Sequence, residues 1–463
     1  MAADTPNKIL GELLACLSWS GERLAREICR VLGTDAVHPT APYKWLKGNR
    51  PRREEVRQAT AFVLSQASGR LIAVSELWPG CAAHESFLVP ATAGMEMPWT
   101  LAGTLALAHD WLLGGLMDRR VFLAVSGSAL TDLALKAVNT EPARLAAALN
   151  GGQVDATLIA QVEDSIPRLR QLDDQQGGGG AALTYVNAQF QAVAQLLHTA
   201  EHGGQITRRL LVAWAELGQL AGWMAADTER HGLAQRYYLT ALRAAHNSSD
   251  KALGANVLSM MAFHAASREE AADAISLGTA AVELAHRSPV AVQALVTSRL
   301  AYGYALVGDA HRFHTAHGLA RELTEHPTGY QPRWAYYVNP QFVDNACGFY
   351  QVNLGMVGSR DSRRHLSNAV TLLTPEATAA PDYPYQRDAL LSGTALVTAH
   401  LGLGELEQAC EVGRTTLKRL PHVNSPLCWA SLRRVADQLR ARKVNPHVRD
   451  FSTELDRRLK LIT

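Results

Sequence analysis

The chain has 463 residues, 47% hydrophobic and 6% aromatic, with a formal net charge of only +2. That length exceeds one ordinary core and implies two or three domains, and the apolar content excludes a disordered chain. No run of about 18 apolar residues is free of charges and helix breakers, which argues against a membrane-spanning helix. The first residues lack the basic region and cleavage site of a secretory signal. Alanine and leucine dominate and β-branched runs are scarce, so the expected fold class is all-α. Six cysteines are scattered without a C-x-x-C pair, which favours free thiols in a reducing cytoplasm over disulfides or zinc.

Charge is unevenly placed. Residues 1–70 carry eleven Lys/Arg against seven Asp/Glu, a net +4, leaving −2 for the remainder. Six basic residues (Lys44, Lys47, Arg50, Arg52, Arg53, Arg57) fall within residues 40–57. Such a patch suits phosphate binding, though solvated helix ends also look like this.

Five short helices are expected in the first 80 residues. The first places Ile9, Leu10, Leu13, Leu14 and Leu17 on one face of Asn7–Leu17. A second runs from Glu22 to Leu32 behind Ser20, a suitable N-cap, and Gly33 closes it. A third starts at Thr40-Ala41-Pro42, where proline suits the first turn, and ends at Gly48. A fourth spans about Arg53 to Ser68, and a fifth ends at Leu77-Trp78-Pro79-Gly80. This is the helix count of a λ-repressor-like helix-turn-helix domain.

The run Thr40-x-x-Tyr43-Lys44-Trp45-x-x-Gly48-x-x-Pro51, with Val74-x-x-Leu77-Trp78-Pro79 behind it, resembles the N-terminal domain of large actinobacterial helix-turn-helix transcriptional regulators. The resemblance implies that the third helix enters the major groove of DNA. Carried over by position, Thr40, Tyr43, Lys44 and Lys47 would face double-stranded DNA. Arg50, Arg52 and Arg53 would meet phosphates, which position a protein without reading sequence. Trp45 and Leu46 would point into the domain core. One departure is the separation of the second and third helices by about seven residues, Gly33–Pro39, where three or four are usual.

Residues 82–205 read as a helical linker and the start of an array. Pro98–Leu116 has a helical apolar face. Asp118-Arg119-Arg120 followed by Val121-Phe122-Leu123 looks like a twin-arginine export motif, but lies too deep in the chain and is expected to begin a helix. The run Arg168–Asp174 ends a helix that Gly177–Gly180 breaks. No lysine follows those glycines to make a phosphate loop. The run from Arg168 through the glycines also recurs in the family named above.

From about residue 183 the chain repeats. Leu220–Ala225, Met260–Ala265 and Leu300–Ala305 recur at forty-residue intervals, with looser copies at Ala346–Tyr350 and Ala395–Ala399. Each of the first three, and the last, is followed by a polar turn and an alanine-containing helix. Small residues at fixed offsets let paired helices approach closely, as in tetratricopeptide repeats. The expected organisation is therefore residues 1–81 for DNA binding, 82–205 as the linker, and 206–463 as a tetratricopeptide-like α-solenoid. His311, His314 and His317 share a helix face without a carboxylate or thiol to complete a metal shell. No catalytic motif is present, so neither an enzyme nor a cofactor or metal is expected.

The combination resembles the peptide-sensing regulators of Gram-positive bacteria. It implies a cytoplasmic one-component transcriptional regulator, a homodimer, whose repeats bind a peptide or small-molecule effector. The candidates for effector contact interrupt the small-residue pattern: Trp223, Asn256, His264, Tyr302, Asn345 and Asn353, with Trp334, Tyr336 and Tyr337 just before the fourth pair. The alternative is a repeat-based scaffold for other proteins, without sequence-specific DNA binding.

Overall fold

The structure is a computed structural model. It describes residues 6–32, 37–68, 72, 74–78, 88–92, 95, 97–113, 121–139, 156–179, 181–199, 204–325, 329–357, 361–442 and 444–460. The described residues are all-helical apart from two three-residue strands, and the chain divides into two compact units. One comprises residues 1–93, 114–125 and 230–233. The other comprises 94–113, 126–229 and 234–463.

The first unit contains α1 (Lys8–Cys16), α2 (Gly21–Leu32), α3 (Ala41–Leu46), α4 (Glu54–Ser68) and α5 (Val74–Leu77). Asn7 caps α1 through a bond from the Leu10 amide, and the Ser20 hydroxyl accepts from the Arg23 amide to start α2. The apolar stripes Leu10/Leu13/Leu14 and Leu24/Ala25/Ile28 meet Val56, Leu64, Trp45 and Trp78 in one core. Asn7 also fastens the ends of the unit together. Its amide N–H donates to the Leu46 carbonyl at 3.0 Å and its side chain to the Leu77 carbonyl at 2.8 Å. The expected turn Gly33–Pro39 lies mostly outside the described residues, as do Pro79 and Gly80.

The strands β1 (Leu88–Pro90) and β2 (Val121–Leu123) pair in parallel. This corrects the expectation that the Val121-Phe122-Leu123 run begins a helix; its preceding residues, Asp118–Arg120, lie outside the described residues. Three consecutive residues with branched or aromatic side chains fit a pleated ribbon better than a helix turn.

The second unit begins with α6 (Leu101–Leu113), α7 (Ser128–Asn139), α8 (Ala156–Gln176) and α9 (Ala181–Thr199). It continues with α10 (Gly204–Asp227), α11 (His231–Asn247), α12 (Lys251–Ser267), α13 (Ala271–Ala285), α14 (Val290–Leu306) and α15 (Ala310–Glu325). The last helices are α16 (Pro340–Met356), α17 (Ser362–Ala377), α18 (Gln386–Leu403), α19 (Leu406–Leu417), α20 (Pro426–Arg440) and α21 (Pro446–Leu459). The recurring small-residue windows fall in α10, α12, α14, α16 and α18, and the polar turns start the helices that follow them. From α12 to α18 each helix packs on its sequence neighbour, and every second helix packs on the next but one. At Gly348 the partner helix comes so close that a Cβ would stand 2.7 Å from the Leu373 side chain, which is why a glycine occurs in that window.

The even-numbered helices α10 to α20 form a row that turns back until α10 and α20 touch. Helix α8 contacts both α10 and α18 and so lies on the inner side of this curve. An aromatic core of Trp111, Phe190, Trp214 and Tyr237 joins α6, α9, α10 and α11, with centroids 4.8–5.2 Å apart. Trp111 donates its indole N–H to Thr240 at 3.0 Å, and Asp110 pairs with Arg236 at 2.6 Å. Among the described residues no helix is long and apolar enough to cross a membrane.

Candidate nucleic-acid interface and an inner-face polar cluster

In the first unit, α3 presents two chemically different sides. Pro42 and Trp45 are buried, and Trp45 meets Trp78 edge to face at 6.2 Å. Leu46 packs against the same core. Thr40, Tyr43, Lys44 and Lys47 are exposed, as are Arg50, Arg52 and Arg53 in and after the turn that follows. Tyr43 lies over Gly21, where a Cβ would come within 3.0 Å of its ring, so α2 sets the tyrosine's direction. Thr40 bonds to His38 at 2.8 Å. Arg57 is spent on structure: its guanidinium donates to the carbonyls of Pro51 and Arg52 at 2.8 and 3.0 Å. It thereby fixes the loop that carries the other arginines.

In the second unit, polar side chains converge on the inner face of the helix row. Arg387 on α18 is buried and donates to Asp173 of α8 at 2.6 Å, to Asp388 at 3.0 Å, and sits 5.0 Å above the Trp223 ring. Tyr336 donates its hydroxyl to Asp174. Arg299 on α14 donates to Asn256 at 3.0 Å, to Ser259 at 2.8 Å and to Tyr337 at 3.1 Å. Nearby, Ser392 donates to Asn345 at 3.2 Å and to Glu376 at 3.1 Å, and Tyr383 donates to Glu376 at 2.9 Å. The turn after α8 is packed just as tightly. The Gly178 amide donates to Asp227 at 2.8 Å, Ser425 donates to Asp227 at 2.5 Å, and the Gly179 amide donates to the Asn424 carbonyl at 3.0 Å.

Burial dominates the electrostatics. It pushes Asp174 and Asp227 each up to about 6, against opposing hydrogen bonds and the Arg387 charge. Burial, then the charge of Asp388, pushes Glu376 up to about 7. Arg387 moves the other way from a buried cation, because Asp173, Asp388 and Asp227 outweigh its desolvation and hold it protonated.

Of the effector candidates, Trp223, Asn256, Tyr336, Tyr337 and Asn345 thus border the α8 seat or the polar groups beside it. Tyr302 stacks on Tyr350 at 4.5 Å, and Asn353 donates to the Phe349 carbonyl in the same helix. His264 and Trp334 are buried in packing, His264 against the Tyr238 ring. Arg299, within the apolar run before Leu300-Ala301, carries a signal in the sequence, whereas Arg387, flanked by Gln386 and Asp388, carries none. In the sequence Asp173 and Asp174 mark only a helix end. Along α15, His314 stacks with His365 at 5.6 Å and His317 with Phe313 at 6.4 Å. No group of three or more potential metal ligands occurs among the described residues. No protein-family model matches the chain, and no curated protein is significantly similar to it.

Proposed function

We propose that the chain is a cytoplasmic one-component transcriptional regulator. In this reading α2 and α3 form a helix-turn-helix that binds double-stranded DNA. The second unit is then a tetratricopeptide-like solenoid that serves homodimerisation and senses a peptide or small molecule. The observation that carries the DNA-binding reading is the division of α3. Trp45 anchors the helix in the core while Tyr43, Lys44 and Lys47 remain exposed, with three arginines just beyond. An exposed cationic helix on a rigid seat suits a polyanion with a regular groove.

Fluorescence anisotropy with random-sequence duplex DNA across a salt series tests this. Binding should weaken steeply with salt, and each of Lys44→Ala and Lys47→Ala should reduce the log–log slope by about 0.9 where the lysine meets a phosphate. A lysine that reads a base should instead relax sequence preference. Absence of salt-sensitive binding, or wild-type affinity in both variants, removes this surface as the DNA site.

A further inference from the structure

Helix α8 is held along its length by parts of the chain far from it in sequence. Glu163 accepts two bonds from Arg209 on α10, at 2.8 and 2.6 Å. Asp164 faces Arg333 at 3.6 Å. Arg170 donates to Gln219 at 2.8 Å and pairs with Glu216 at 3.4 Å. Asp173 and Asp174 meet Arg387 and Tyr336, and the Gln176 carbonyl accepts from the Asn424 amide at 2.7 Å. The attachments come from α10, the segment before α16, α18 and the segment before α20. They are what a groove does to a helical peptide, made here by the chain's own segment.

The chemistry of that seat differs from the rest of the row. Among its described side chains α8 buries the apolar Ile159, Ile166 and Leu169, whereas α12 buries apolar groups along nearly its whole length. Pro167 sits inside α8 and cannot donate a backbone hydrogen bond. A helix fixed by ion pairs is specific in register but gains little net stability from them, since desolvation offsets the attraction. Segments with few buried apolar contacts are those that open first. Any ligand that uses this face must offer the same pattern: an acidic pair, an arginine six residues after its second member, and a second acidic pair three residues beyond.

We propose that α8 is a displaceable internal ligand, and that the array's effector is a helical peptide with that pattern, whose second acidic pair replaces Asp173 and Asp174 at Arg387 and Tyr336. The proposal rests on the reading of the second unit as a sensor. While α8 is docked, the apparent affinity for such a peptide is reduced by the small fraction of chains whose groove is open.

The probe is a labelled synthetic peptide of residues 156–176, added to the full chain. The double variant Asp173→Asn/Asp174→Asn should bind it at least about tenfold more tightly than wild type, and adding Arg387→Gln should remove that gain. Equal affinity of wild type and a folded double variant overturns the proposal. Should the double variant fail to fold, hydrogen exchange on the wild-type chain decides. Amides of α8 should exchange faster than those of α12 and α14, and excess peptide should strip their remaining protection. An α8 as protected as α12, and unmoved by the peptide, overturns the proposal. Neither readout involves DNA, so a chain that fails to bind DNA can still pass, and one that binds DNA can still fail.

Discussion

The exposed side of α3 and the inner face around α8 are both charged, yet they use charge in opposite ways. On α3 the lysines stand in water on a helix whose apolar side does the folding. Their charges remain available to a partner and contribute little to stability. Around the C-terminal end of α8 the paired charges of Asp173 and Arg387 are out of water, so each holds the other in position and neither can be removed without orphaning its partner. A polar residue at a surface keeps its hydration, whereas one in an enclosed seat first defines a conformation.

That contrast can be tested, beginning where the expected effect is largest. Arg387→Met leaves Asp173 buried without its cation and should lower stability by about 3–5 kcal/mol, read as a fall in the first thermal transition of the chain. Little change would mean that the inner face is as solvated as α3 and the contrast false. Next, Gly179→Ala places a Cβ 2.3 Å from the Asn424 carbonyl oxygen. Backbone must move, at a cost of about 1–3 kcal/mol. Gly204→Ala, with no atom of the described residues within 4 Å of its Cβ, should be neutral or slightly stabilising. Equal melting of the two would show that the turn after α8 is not closely packed.

The third test is pH. Asp174, Asp227 and Glu376 have folded values of about 6, 6 and 7, above those of an unfolded chain. Between about pH 4 and 7 these three groups therefore bind more protons in the native state than in the unfolded one, and their contribution to stability falls as pH rises. Glu376→Gln removes one such group. It should flatten the profile of melting temperature between pH 5 and 8, gaining on the order of 1–2 kcal/mol at the alkaline end. A variant whose profile parallels wild type would show that Glu376 is solvated. The smallest stability effect is expected on α3, where Lys44→Ala and Lys47→Ala should stay within about 0.5 kcal/mol of wild type by chemical denaturation. A larger loss would mean these lysines belong to the fold and cannot be counted as available charge.

Local patterns were legible from the chain alone. The apolar stripe of α1, the Ser20 cap, the proline entry to α3 and the inward turn of Trp45 each depend on residues within a few positions of one another. The forty-residue recurrences that place small residues in alternate helices were legible too, as repetition along the chain. The β1–β2 ribbon was missed because three-residue strands carry too short a period to distinguish from a helix start, and their pairing joins segments thirty residues apart.

What the sequence determined by itself was the helical class, the periodic alternation of helices and the apolar stripe of the N-terminal helices, since these follow from spacing and propensity. Tertiary structure alone decided that the row curves back on itself and that α8 lies within the curve. Asp173 and Arg387 are 214 positions apart, and nothing in either neighbourhood announces the other. Their pairing exists because the row turns back and brings α18 against α8, where desolvation makes each charge require the other.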